Sequence, residues 1–260
     1  MGSSDATEAI TRLIDEHGGL IHALGLRFCG NRADADDLVQ EVFLEAFKGW
    51  SGFRGESDVR TWLYTIAVRA CRRLHRPRAG APESIGSLDD LLPFGAPRIA
   101  MLPDDLDDAA SQAMRREATA RIEEAIAALP EEFRIPLVLK EIVGCSVPEI
   151  ARILGLEEGT ARSRVHRARL RLRDAVDRTI PRAPGDAPPP AYPRQTCLDL
   201  LQAKQEALDR GVPFDSTVVC DRCRSVFASL DLTTDLCRDL SAGRLPPGVR
   251  ERLLGVVESA

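Results

Sequence analysis

The stretch from Ser146 to Arg169 constrains this chain more than any other, because it reads as two short helices joined by a tight turn. Ser146-Val147-Pro148-Glu149 has the form of a capping box, in which the serine oxygen takes a free amide of the first turn and the glutamate reaches back. Ile150, Ala151, Ile153 and Leu154 follow as an apolar stripe. Gly155 suits the left-handed residue that ends such a helix, and Leu156 anchors the turn. A second helix starts near Glu157 and carries Arg162, Arg164, Arg167, Arg169, Arg171 and Arg173, with no acid from Thr160 to Arg173. Cap, stripe, turn and basic helix together predict a helix-turn-helix, whose second helix enters the major groove and meets base edges with its N-terminal residues.

Arginine has two uses on such a helix. Paired bidentately with guanine it gives about 1–3 kcal/mol of base discrimination, and paired with phosphate it fixes register without reading sequence. Arg162, Ser163 and Arg164 lie early enough to reach bases, whereas Arg167, Arg169 and Arg171 are expected to face phosphates or solvent. A formal net charge of −5 does not oppose this, because charge is sorted along the chain: Asp104, Asp105, Asp107 and Asp108 crowd a different segment. Local basic faces on an acidic chain bind DNA when something larger holds them there.

The rest of the chain is also helical in period. Leu20, Ile21, Leu24 and Phe28 recur at helical spacing. After Gly30-Asn31, Leu38, Val42 and Phe43 share one face while Asp37, Gln40, Glu41 and Glu45 point elsewhere. Beyond the loop from Gly49 to Gly55, Ser57 or Asp58 can cap a helix that carries Trp62, Leu63, Ile66 and Ala67, then Arg69, Arg72 and Arg73, and ends before Pro77. No alternating pattern demands a sheet. The expected fold is all-α: a helical module over 6–78, a linker over 79–111, a second helical module over 112–178, a proline-rich spacer over 179–194, and a small cysteine-rich helical domain over 195–260. No run of about 18 apolar residues is present to span a membrane. The N-terminus has neither the basic start nor the apolar core of a signal peptide, so a cytoplasmic location is expected.

These residues resemble the extracytoplasmic-function class of sigma factors. Ala128-Leu129-Pro130-Glu131-Glu132-Phe133-Arg134 looks like the family's entry to region four, and Glu149 to Leu156 and Gly159 to Arg169 look like its two recognition-domain helices. Independently, Asp34 to Phe43 looks like region 2.2, and Phe53-Arg54 with Thr61-Trp62-Leu63-Tyr64-Thr65-Ile66-Ala67 looks like regions 2.3 and 2.4. One departure is Ile66-Ala67-Val68-Arg69-Ala70, where the family often carries an asparagine.

The resemblance implies a non-enzymatic transcription factor with two kinds of partner, core RNA polymerase (its β′ clamp and β flap) and promoter DNA. It implies that Asp37, Gln40 and Glu41 dock on the β′ clamp. It implies that the Trp50–Asp58 loop and the following helix, with Trp62, Arg69, Arg72 and Arg73, capture the melted minus-ten element. The minus-thirty-five element falls to Arg162, Ser163, Arg164 and Arg167.

Cysteine usage sets the tail apart. Cys29, Cys71 and Cys145 sit singly in apolar helical patterns and are expected to be buried packing residues. Cys197, Cys220, Cys223 and Cys237 all lie in the last quarter, where clustering in a reducing compartment favours metal or redox chemistry over disulfides. Cys220-Asp221-Arg222-Cys223 is a C-x-x-C pair, and a four-thiolate site with Cys197 and Cys237 would suit zinc, cadmium or copper. The arrangement resembles the zinc-binding anti-sigma domain, with Ser216 where that domain has histidine, and more closely the fused C-terminal domain of CorE-like metal-dependent sigma factors. A metal sensor, a structural zinc and a thiol redox switch all stand as readings of it, and the fusion suggests that the tail packs on a sigma module and releases it. The rival for the whole chain is a conventional regulator that binds operators without polymerase; it leaves Asp34–Phe43 and Trp62–Ala67 unexplained. No phosphate-binding glycine loop or nucleophile elbow points to an enzyme.

Overall fold

The computed structural model describes residues 3–29, 32–55, 58–74, 109–177, 191–240 and 245–259. The expected linker lies outside them as far as residue 108, and the expected spacer as far as residue 190. The described residues form helices α1 (Ser3–Cys29), α2 (Arg32–Gly49), α3 (Val59–Leu74), α4 (Ala109–Ala128), α5 (Glu131–Glu141) and α6 (Val147–Leu154). After these come α7 (Glu158–Asp177), α8 (Arg194–Arg210), α9 (Asp221–Asp239) and α10 (Pro247–Ser259), and a 3-10 turn at Trp50–Gly52 follows α2. Among the described residues there is no strand, so the all-α expectation holds, and no helix is long and apolar enough to cross a membrane.

Two compact units divide the chain. The first holds α1, α2, α3, Pro148–Ala161 and everything from Leu240 onward; the second holds α4, α5, most of α7, α8 and α9. In the first, Ile21, Leu24 and Phe28 meet Leu38, Val42 and Phe43 and the Leu63, Ile66 and Ala67 face of α3, all buried as their periods require. At Gly25 the helices approach closely, since a Cβ there would stand 3.0 Å from the Ala35 Cα. Asp58 caps α3 by accepting the Arg60 amide at 2.7 Å, one of the two caps the sequence offers. Helix α10 packs on α1 and α2 through Val249 and Leu253, with Arg250 on Asp15 at 2.8 Å and Arg252 on Asp36 at 3.1 Å.

The second unit is built around Phe133, Leu137, Val138, Val165, Ala168 and Leu172, with Leu201, Cys223, Phe227 and Leu230 of α8 and α9 also buried. The separate domain expected over 195–260 is therefore divided: α8 and α9 belong to the second unit and α10 to the first. Helices α8 and α9 run for 17 and 19 residues, and their buried faces carry Leu200, Leu201 and Ala207 on α8 and Val226, Phe227 and Leu230 on α9.

Candidate nucleic-acid interface

Ser146 directly precedes α6, where a capping box puts it. Gly155 then turns the chain at φ 65°, with the Leu156 amide on the Ala151 carbonyl at 2.9 Å and the Gly155 amide on Arg152 at 3.4 Å. These two bonds make a Schellman ending, which only a left-handed residue permits at low strain. Helix α7 buries Ala161, Val165, Ala168 and Leu172 and leaves Ser163 exposed. Arg162 and Arg164 are partly exposed beside it, Arg164 Nη2 lying 3.2 Å from Glu132. The Arg167 guanidinium stands 5.2 Å over the Phe133 ring.

Arg169 departs from expectation. It faces neither phosphate nor solvent but is 1% exposed. Its Nε donates to Glu141 Oε1 at 2.8 Å and its Nη1 to Asp209 Oδ1 at 2.7 Å. Burial opposes its charge, but Glu141 and then Asp209 outweigh that and hold the guanidinium more firmly protonated than usual. Arg173 is buried as well, paired with Asp177 at 3.1 Å. Only Arg171 of this trio stays on an exposed face. Asp209, in the last turn of α8, also sits 2.8 Å from His166 Nε2 and 4.0 Å from Arg162 Nε. Burial would raise its pKa, yet the hydrogen bond from His166 and the charge of Arg169 hold the carboxyl below the ordinary aspartate range.

In the first unit Trp50, Phe53 and Trp62 form one partly exposed aromatic cluster, with centroids 5.6, 6.0 and 5.0 Å apart. Arg69 and Arg72 are exposed on the same helix as Trp62. Arg73 is turned back onto α2, with Nη2 at 2.8 Å from Glu41 and a second bond to Glu45. A residue assigned to DNA is thus paired with one assigned to polymerase. Asp37 is exposed and Gln40 partly so, and Asp36 next to them carries Arg252 of α10.

The thiols come together in part. Cys223 touches both Cys220 and Cys197. Burial, with the Cys220 and Cys197 sulfurs adding to it, pushes the Cys223 thiol up to about 12. At Cys220 burial is outweighed by hydrogen bonds from the Ala191 and Cys223 backbone, which draw its pKa below the usual thiol value. Cys237 does not join them. It lies on the same continuous helix as Cys223, and fourteen residues at a rise of about 1.5 Å put it roughly 21 Å along the axis. Among the described residues no group of three or more His, Cys, Asp or Glu stands arranged to hold a metal ion. The three sulfurs form a chain centred on Cys223, which side-chain rotation would have to close. None of Cys71, Cys145, Cys197, Cys220, Cys223 and Cys237 is in a disulfide, and Cys71 and Cys145 are buried packing residues as expected.

Comparison with known proteins decides the family. The Sigma-70 region 2 family matches residues 13–80, and Sigma-70, region 4 matches residues 119–172. The RNA polymerase sigma-H factor of Pseudomonas aeruginosa is 31% identical over 66% of this chain and 86% of its own. The ECF RNA polymerase sigma factor SigM of Mycobacterium tuberculosis is 33% identical over 63% of this chain and 75% of its own. The chain belongs to the extracytoplasmic-function sigma factors. It is a non-enzymatic factor for promoter-specific transcription initiation, and it binds core RNA polymerase and promoter DNA. A solved structure of CnrH in complex with the cytosolic domain of CnrY matches 68% of this chain and 95% of its own at 26% identity and TM-score 0.48.

Two features of this sigma factor go beyond the sequence, which marks the Trp50–Asp58 loop and Trp62 for the minus-ten element but not the packing of their rings. Trp50 and Phe53 complete the aromatic cluster with Trp62; the signal was that both tryptophans of a chain only 5% aromatic lie within thirteen residues. Asp209 was missed altogether. Its signal was position, since a carboxylate in the last turn of a helix opposes the macrodipole and needs a compensating cation.

Proposed function

We propose that this sigma factor docks on the β′ clamp through Asp37, Gln40 and Glu41 and captures the minus-ten element on the Trp50–Phe53–Trp62 cluster with Arg69 and Arg72. Arg162, Ser163, Arg164 and Arg167 read the minus-thirty-five duplex. Arg73 positions Glu41 and Glu45 rather than contacting DNA. The tail regulates initiation in response to a soft metal ion, zinc, cadmium or copper, taken up by Cys197, Cys220 and Cys223 in the manner of the CorE-like group. Such an ion would supply a fixed cross-link between α8 and the N-terminus of α9; Cys237 contributes packing instead. A factor whose partners are core polymerase and promoter DNA works in the cytoplasm.

One observation carries the regulatory reading. Helix α8 holds Cys197 in its first turn and Asp209 in its last, so the thiol cluster and the recognition helix are joined by a rigid rod of twelve residues, about 18 Å. Run-off transcription with core polymerase from the chain's own upstream promoter tests it, metal-free and with each ion in turn. The expected result is core-dependent initiation that changes with one metal in the natural chain and not in Cys220→Ser or Cys223→Ser. Unchanged metal dependence in both variants defeats the sensing role, and initiation indifferent to all metals leaves the sigma factor with a structural tail. Operator binding without any core-dependent initiation would favour the conventional regulator.

A further inference from the structure

We propose that the C-terminal end of α8 is an internal competitor for promoter DNA, with Asp209 occupying at the recognition helix the place of a nucleic-acid phosphate. The inference rests on the reading of α7 as the minus-thirty-five helix.

The last turn of a helix is an anionic object. Its final carbonyls lack helical partners and its dipole is negative there. In α8 that turn adds a carboxylate; the Ala207 and Leu208 carbonyls accept the Val212 and Gly211 amides, while the Gln205 carbonyl and both acceptor groups of Asp209 are met by side chains of the DNA-reading module. Arg169 donates to the Gln205 carbonyl at 3.3 Å and to Asp209 Oδ1 at 2.7 Å. Lys140 donates to the Asp209 carbonyl at 2.9 Å, and His166 lies 2.8 Å from Oδ2. Arg162, an early residue of α7 suited to base contact, is 4.0 Å from the same oxygen. Arg162, His166 and Arg169 recur at i, i+4 and i+7, so one face of α7 is organised around this anion. A DNA phosphate offers the same chemistry: charged oxygens seeking arginine, lysine and imidazole donors at about 2.7–3.0 Å. Duplex DNA laid along Arg162 and Ser163 meets the end of α8 and has to displace it, so apparent affinity is reduced by the fraction of molecules in which α8 is seated. Arg169, tied also to Glu141, stays in place when α8 leaves and keeps α7 in register.

The test uses the full chain and one neighbouring control. Asp199, exposed on α8 and bonded only to Gln195 among the described contacts, carries the same charge away from α7. Asp209→Asn and Asp199→Asn therefore lose equal charge. Binding of a fluorescent duplex bearing the chain's own upstream promoter is measured by anisotropy, with and without core polymerase. Asp209→Asn is expected to tighten binding about 10-fold, and Asp199→Asn less than 2-fold. Equal effects, or weaker binding by Asp209→Asn, overturn the proposal while leaving the sigma assignment intact. Failure of the natural chain and both variants to bind even with core polymerase overturns the reading of α7 and this proposal with it. A measurement on the natural chain needs no variant: hydrogen exchange of a 203–212 peptide should quicken when the duplex is added. Exchange that is unchanged or slowed by saturating duplex refutes displacement.

Discussion

Replacing Arg169 with methionine isolates the energetics that hold the recognition helix. The guanidinium is 1% exposed and shares itself between Glu141, with a side chain 5% exposed, and Asp209, at 9%. Methionine preserves much of the volume but leaves two carboxylates in a dry site. Asp209 keeps His166 as a partner, so essentially one anion loses its compensation, and breaking a buried pair in this way costs about 3–5 kcal/mol. Arg171, two residues on, is the control: half exposed and 3.5 Å from Asp174 in an i, i+3 pair, it is worth roughly 0–0.5 kcal/mol. Urea unfolding followed by far-UV circular dichroism reads the difference, and both tryptophans lie in the first unit, so their fluorescence serves as an internal reference. For an m-value of about 2 kcal/mol per molar, Arg169→Met moves the dichroism midpoint down by roughly 1.5–2.5 M and leaves the tryptophan transition in place. Adding Glu141→Leu and Asp209→Leu to it removes all three charges and should recover most of the loss. A midpoint shift no larger than that of Arg171→Met would refute the reasoning.

Three further outcomes are expected. At neutral pH iodoacetamide should modify Cys220 well before Cys223, because the backbone holds the first thiol below its usual pKa while burial pushes the second up to about 12; peptide mapping of the alkylated chain decides it, and faster labelling of Cys223 counts against the geometry. His17 is buried against Tyr64 and its pKa is lowered, first by burial and then by Arg60, so the folded chain binds fewer protons there than the unfolded one. Its contribution is complete above the ordinary value of 6.5 and is lost as pH falls below that; the slope of tryptophan-detected stability against pH should flatten in His17→Gln, and an unchanged slope denies His17 that role. Trp50→Ala should cut promoter opening, followed by permanganate reactivity of the melted strand, about 5- to 150-fold if a base stacks on the cluster at roughly 1–3 kcal/mol. Opening at the natural rate would make the cluster a packing feature only.

What local sequence determined is what local physics controls. Helical period placed Leu38, Val42 and Phe43 on one buried face, the Asp58 side chain capped α3, and Gly155 turned α6 into α7 where only a left-handed residue fits. The all-helical class followed from the same patterns, and the order of the two sigma modules from the family resemblance of their motifs. Tertiary structure decided the rest. Arg169 and Arg171 look alike in sequence, yet one is buried by partners 28 and 40 residues away while the other faces water. Cys237 looks like a fourth thiolate until α9 proves continuous, which holds it a fixed distance from Cys223. Asp209 gives no sign of its role except an unfavourable place at a helix end, because a charge acquires meaning from the charges it meets, and those arrive only when the chain has folded.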